Sequence, residues 1–397
     1  MNKKLVALAV AGAFALPLAA QAQTANVTLY GRLNVDFEFV NGKQADGSNP
    51  WVNRLSSNSS RFGMRGTESL GGGLNAIFQV ESDLKPDTGG SVTANRETFV
   101  GLQGSWGKFT MGKFLMPQDD LHAIFGNAPT LLTSILSTAD LWAQGTLSKG
   151  AGGFDARTGN NLRYDTPNMS GLTAAIQYST RDSSGVADAN ASVTGDNGDH
   201  ASELRHAWVL GMNAIYANGP LQLGAAYEKN KKVRGPSLDD RDFTITGAYD
   251  FGTIMQGFGL RLGIVYENTK YETPSGDLKR DFWGLSGTIP VGGGKVYLFY
   301  GRAGNGKGGA ADGETVGGLV KGPETASKQW EISYSYSLSP RTLLYTGYVK
   351  LNNDCNAKYT FNINAYTINT NHNVSSPDDA VCNGEPSGIV FGMVHFF

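Results

Sequence analysis

Beyond its amino-terminal segment the chain has no apolar run of about 18 residues, so no later α-helix can cross a bilayer. Cysteine is nearly absent: Cys355 and Cys382 are the only two, and their spacing, with His372 between them, fits no zinc pattern. The five histidines show no paired metal spacing, which argues against a metal centre. Charge is sparse, at 17% Asp, Glu, Lys and Arg with a net −2, and gives no reason to expect a nucleic-acid partner. No Gly-x-Ser-x-Gly nucleophile elbow occurs. Gly301–Gly308 comes near the phosphate-loop pattern, but Gly308 stands where Ser or Thr is required and a Gly-rich loop follows where a helix should start, so it reads as a surface loop. Neither an enzyme nor a bound cofactor is expected. No shift of composition marks a linker, and one domain is expected from residue 23 to residue 397.

What is abundant points to β-structure. There are 53 glycines, well above the ~7% of ordinary usage, and aromatics make up 10%. From Val27 to Val40, Val27, Leu29, Leu33, Val35, Phe37 and Phe39 alternate with Thr28, Tyr30, Arg32, Asn34, Asp36 and Glu38. Period two of that length is a strand with one apolar and one polar face. Full charges on the polar face suit a water-filled interior better than a packed core. The alternation recurs at Leu172–Tyr178, Leu221–Tyr227, Phe243–Phe251, Leu260–Tyr266 and Trp330–Leu338, runs of seven to nine residues that approach the 9–11 a tilted membrane strand needs. A mean hydropathy of −0.26 is compatible with this, because lipid-facing and water-facing residues average out along such strands.

The connections alternate in length. Short turns fall at Gly71-Gly72-Gly73, Trp106-Gly107, Asn168–Gly171, Asn218-Gly219-Pro220, Phe251-Gly252-Thr253, Gly292-Gly293-Gly294 and Ser339-Pro340-Arg341. Longer polar connections fall near 41–58, 85–94, 115–159, 181–204, 229–240, 268–279, 304–327 and 353–386. Seven turns and eight loops join sixteen antiparallel strands, an even number that closes a transmembrane β-barrel without an edge. In hydrocarbon an open edge would leave peptide groups unsatisfied at several kcal/mol each. A soluble, exported sandwich or propeller would also be rich in strands and glycine, but would not alternate its connections so strictly.

The amino-terminus reads as a secretory signal over residues 1–22: Lys3 and Lys4, an apolar region from Leu5 to Leu18, and a small-residue cleavage site at Ala20-Gln21-Ala22. An exported chain meets an oxidising compartment, where Cys355 and Cys382 are expected to form a disulfide.

Ser60-Arg61-Phe62-Gly63-Met64-Arg65-Gly66-Thr67-Glu68, with Leu70–Leu74 and Ala76–Gln79 after it, resembles the second hairpin of the general porins of Gram-negative bacteria. Leu29-Tyr30-Gly31-Arg32, Phe99-Val100-Gly101-Leu102 and the terminal Phe397 fit the same family. The resemblance implies an outer-membrane homotrimer of barrels in contact with outer-membrane lipids, each a passive channel for small hydrophilic solutes and ions. It implies a third external loop folded into the pore, a place that residues 115–159 occupy, and a terminal aromatic, Phe397, read by the barrel-insertion machinery. It places Arg32, Arg61 and Arg96 on a basic wall, with Arg163 as a fourth member. It sets Asp119 and Asp120 opposite them on the loop, although Leu115–Asp120 departs from the family's acidic loop motif. Glu38, Glu81 and Asp83 also face inward by alternation, which leaves the sign of ion preference open, as it leaves solute specificity. A barrel acting as adhesin, receptor or surface enzyme is the alternative; a plugged lumen or a Ser/His pair on the outer wall would favour it.

Overall fold

Along β1 (Asn26–Lys43), Leu33 and Phe37 face outward and are exposed, while Arg32, Asn34, Asp36 and Glu38 are buried on the other side. This inside-out alternation builds the whole molecule. The computed structural model describes residues 26–43, 48–126, 134–146, 153–180, 207–235, 237–254, 259–366 and 384–397. The expected signal segment and the loop at 181–204 lie outside them.

The wall continues with β2, which has two pieces, Trp51–Ser57 and Arg61–Gly71. Then come β3 (Leu74–Asp83), β4 (Thr98–Gly104), β5 (Gly107–Leu115), β6 (Arg157–Asp165), β7 (Leu172–Thr180) and β8 (Trp208–Asn218). The second half comprises β9 (Leu221–Lys231), β10 (Asp239–Asp250), β11 (Arg261–Thr273), β12 (Gly276–Val291) and β13 (Gly294–Ala303), followed by β14 (Ser327–Ser339), β15 (Thr342–Asn353) and β16 (Glu385–Phe396). The sheet has 17 segments, and the two pieces of β2 are one strand interrupted at Asn58–Ser60, so sixteen strands form the wall. Every neighbour pair is antiparallel, and β1 pairs with β16 from Arg32↔Phe396 to Lys43↔Glu385, which closes the ring. Beyond the ladder, Gly31 and Phe397 exchange backbone hydrogen bonds of 2.9 and 3.1 Å.

The outer surface is apolar. Ile264, Leu285, Ile332 and Phe391 are among its exposed side chains, and the stacked pair Trp106–Tyr164 sits at strand ends, as lipid–water girdles do.

Two connections differ from the sequence reading. Much of the loop expected over 41–58 is strand, the Trp51–Ser57 piece of β2 paired with Val35–Asn41 of β1. The loop expected over 268–279 is a tight turn, because β11 and β12 stay paired up to Thr273↔Gly276. On the outward face of β11, Leu262, Ile264 and Tyr266 give way to Asn268, Lys270 and Glu272. The strand has left the hydrocarbon, and its polar continuation reads like a loop.

The buried apolar core lies inside the barrel. Leu121, Phe125, Leu136, Leu141 and Trp142 of the long third loop pack against Val265, Phe282, Phe299, Tyr345 and Val349 on the inner wall. The loop is therefore folded into the lumen. Glycine makes room for it: a Cβ at Gly388 would lie 2.5 Å from Ile135, and one at Gly347 would lie 2.9 Å from Leu136.

Candidate functional site

The site begins with register. Arg32 of β1 stands directly opposite Arg61 of β2, both on the inner face, and Arg61 stands opposite Asp83 of β3. The break in β2 helps to hold Arg32. Ser59 adopts a left-handed φ of 53°, and the Arg32 guanidinium Nη2 donates to the freed carbonyls of Ser59 at 3.2 Å and Asn58 at 3.4 Å. Ser60 Oγ ties the other side of the break to β1, accepting from the Asn34 N–H at 2.9 Å.

Arg96, just before β4, donates through Nε to Glu81 Oε1 at 2.7 Å and through Nη1 to Asp83 Oδ1 at 2.9 Å. Arg61 Nε lies 3.6 Å from Glu81 Oε2. Arg32 is within electrostatic reach of both Arg61 and Arg96. The three arginines therefore form one patch over β1 to β4. Their surroundings differ: the Arg61 side chain is 31% exposed, whereas Arg96 is 9% exposed and held between two carboxylates.

Arg157, at the start of β6, joins this patch through its electrostatic contact with Arg96 and also faces Asp119. The sequence reading missed it by ending the third loop at residue 159. Alternation would not have found it either, because a bulge between Asn161 and Thr158 shifts the register of β6 against β5.

Arg163 is placed differently. Its Nη2 donates to Asp120 Oδ2 at 2.7 Å, and its Nε donates to Asp165 Oδ1 at 2.9 Å. Asn213 Nδ2 adds a bond to the same Asp120 oxygen at 2.9 Å. Asp120 is thus clamped to the wall at the start of the loop. Asp119 next to it points elsewhere, toward His122 and Asp155. Burial, together with the nearby charges of Asp155 and Asp120, pushes its carboxyl up to about 7, against the opposing pull of His122 and Arg157.

The loop is fixed by wall side chains from β8 to β14. Asn213 donates to the Pro117 carbonyl at 2.7 Å, Gln118 to Thr244 at 2.9 Å and Ser286 to the Phe125 carbonyl at 2.8 Å. Arg261 donates to the Ile124 carbonyl at 2.7 and 2.9 Å, at the short helix α1 (His122–Phe125). Further along, Arg280, itself paired with Glu267, donates to the Leu141 carbonyl at 2.6 Å, and Gln329 donates to the Ser137 carbonyl at 2.7 Å. Backbone carbonyls accept most of these bonds, so the wall holds the path of the loop. The anchoring strands leave β1 to β4, with the arginine patch, outside this set.

The last external loop also turns inward. The Asn362 N–H donates to Asp140 Oδ1 at 2.7 Å, and Asn364 Nδ2 reaches Glu38 at 2.7 Å and Asn58 at 2.8 Å. Cys355 in this loop is disulfide-bonded; Cys382 lies outside the described residues. The Gly301–Gly308 stretch leaves β13 without a helix and pairs Lys307 with Lys279. His395 faces outward, 3.0 Å from Thr342 Oγ1.

A basic patch on one inner wall and a long loop docked on the other make the barrel a narrowed channel. The family model for Gram-negative porins matches residues 7–356. The chain belongs to this family. Outer membrane porin protein 32 of Delftia acidovorans is 30% identical over 364 residues, covering 89% of this chain and 90% of its own. An outer membrane porin protein of Bordetella pertussis is 29% identical over 386 residues, covering 87% of this chain and 93% of its own. Among solved structures, an anion-selective porin from Comamonas acidovorans superposes with a TM-score of 0.68 at 24% identity, covering 94% of this chain and all of its own. A trimer form of OmpT from Vibrio cholerae superposes with a TM-score of 0.61 at 16% identity, covering 94% of this chain and 99% of its own. This porin resides in the outer membrane and forms a water-filled channel for passive diffusion of small hydrophilic solutes and ions.

Proposed function

We propose that this porin favours small anions, and that the wall made by Arg32, Arg61 and Arg96, extended by Arg157, sets that preference against Asp119 on the inserted loop. The observation that carries the reading is the direct pairing of Arg32 with Arg61 across β1 and β2. Like charges placed opposite one another on a sheet are destabilising, so their placement at the lumen points to a role in permeation. Charges across a narrow path create a transverse field that orients polar solutes, and a ring of one sign selects the opposite ion. The Comamonas acidovorans porin, itself anion-selective, supports the same sign. Glu81 and Asp83 offset part of the patch by pairing with Arg96, which leaves Arg61 as the most accessible cation.

We infer also that Arg163 and Asp120 anchor the loop, that the protein is a homotrimer, and that it catalyses no reaction. The trimer form of OmpT supports the assembly, and the channel nature of the family supports the lack of catalysis. Cleavage after Ala22, a Cys355–Cys382 disulfide and recognition of Phe397 by the insertion machinery complete the reading.

The test is a planar bilayer under a KCl gradient. Stepwise conductance with a reversal potential on the chloride side is expected; a reversal potential on the potassium side would overturn the assignment. Heating in detergent before electrophoresis should convert a trimer band to monomer, and a heat-independent monomer band would count against the trimer.

A further inference from the structure

Both feet of the third loop meet at one cluster, of which the permeation reading uses only Asp119. Asp119 and His122 are three residues apart at its start, in a 3₁₀ turn (Asp119–Leu121) that runs into α1, so they share a face. Asp155 comes from its far end, just before β6. A ligand atom from each of the three lies within 4.8 Å of the others, the only such His/Cys/Asp/Glu group among the described residues. His122 is 1% exposed, and among the described residues neither of its ring nitrogens has a hydrogen-bond partner. Its Nε2 stands 3.4 Å from Asp155 Oδ2, and its ring lies against Trp142 with centroids 3.9 Å apart. A buried imidazole without a hydrogen bond is costly, and one aimed at two carboxylates suits a cation between them.

We propose that Asp119, His122 and Asp155 bind a divalent metal ion of the zinc class, tying the two feet of the constriction loop together. Donor chemistry selects the class. One imidazole and two carboxylates leave a fourth position open, as zinc accepts, whereas calcium takes six to eight oxygens. With bonds of about 2.0–2.1 Å, neighbouring ligands of a tetrahedral zinc stand roughly 3.3 Å apart, close to the observed separation of His122 and Asp155. No spacing rule finds this set, because the third ligand is supplied by the returning arm of the loop. Asp119 faces Arg157, so a bound dication cancels the negative charge opposite the basic patch. The channel then becomes more anion-preferring when the metal is bound.

Tag-free folded protein, stripped with a chelator, is titrated with ZnCl2 and, in parallel, with CaCl2. One saturable zinc site per chain is expected, at least tenfold weaker in Asp155→Asn and in Asp119→Asn. Calcium at the same concentrations should give no saturable site. Two variants guard against a folding failure in either one, and the binding measurement is independent of the ion preference proposed above. In bilayers at low salt, ZnCl2 should move the wild-type reversal potential further toward the anion side and leave the Asp119→Asn/Asp155→Asn protein unmoved. Zinc binding as tight in the variants as in wild type, absence of saturable zinc binding to wild type, equal calcium binding, or an equal potential shift in the double variant would each overturn the proposal.

Discussion

The ring of Phe397 lies over Gly31: a Cβ built on Gly31 would sit 2.2 Å from the ring's Cζ. With the two backbone bonds between these residues, this contact seals the first strand to the last at the end of their ladder. Only the absence of a side chain at residue 31 allows it. Gly31→Val and deletion of Phe397 should therefore both lower the yield of folded barrel in the outer membrane. The check is the ratio of heat-modifiable to unfolded protein at low expression. Wild-type levels for both variants would show that the seal has no part in assembly.

Arg163 and Asp120 should matter to the loop more than to ion sign. A charge-assisted bond contributes about 1.5–3 kcal/mol net, roughly tenfold or more in the balance between docked and undocked loop. Arg163→Gln should raise current noise and speed protease cleavage in the third loop, while its reversal potential moves less than that of Arg61→Gln. A larger potential shift from Arg163→Gln would put Arg163 at the narrowest point instead.

Asp140 makes the contact between the third and last loops dependent on pH. Burial, reinforced by the charge of Glu331, raises its carboxyl well above the ordinary range, partly countered by the Asn362 N–H. In an undocked loop the carboxyl titrates near 3.9. Docking thus binds a proton, so it is most favourable below about pH 4 and weakens as pH rises toward the docked pKa. Hydrogen exchange over residues 354–366, corrected for intrinsic rates, should quicken from pH 5 to pH 8 in wild type. Asp140→Asn should flatten that rise, and an unchanged slope would exclude Asp140 as its source.

The wall was legible in the sequence because a membrane strand writes its geometry into alternate residues: Leu33, Val35 and Phe37 face one solvent, and Asn34, Asp36 and Glu38 another. Where β11 rises out of the bilayer, the outward apolar signal ends at Tyr266 and legibility ends with it, hence the loop expected over 268–279. The inner apolar patch was hidden for a different reason. Phe282, Phe299 and Val349 are buried only because Phe125, Leu136 and Trp142 dock there, and no local pattern encodes a partner more than a hundred residues away. Within the site, the family motifs led to Arg32, Arg61 and Arg96. The division of labour between Asp119 and Asp120, adjacent in sequence and aimed at different partners, is a property of the folded turn.

If the arginine patch sets ion preference, neutralising Arg32, Arg61 and Arg96 together removes that preference. Each charge acts over roughly a Debye length, about 8–10 Å at 0.1–0.15 M salt, so the effect belongs to low ionic strength. In a KCl gradient, the reversal potential of the Arg32→Gln/Arg61→Gln/Arg96→Gln protein should move toward the potassium side relative to wild type, and the difference should shrink in molar salt. The same reversal potential for both proteins at low salt would show that these arginines do not set ion preference.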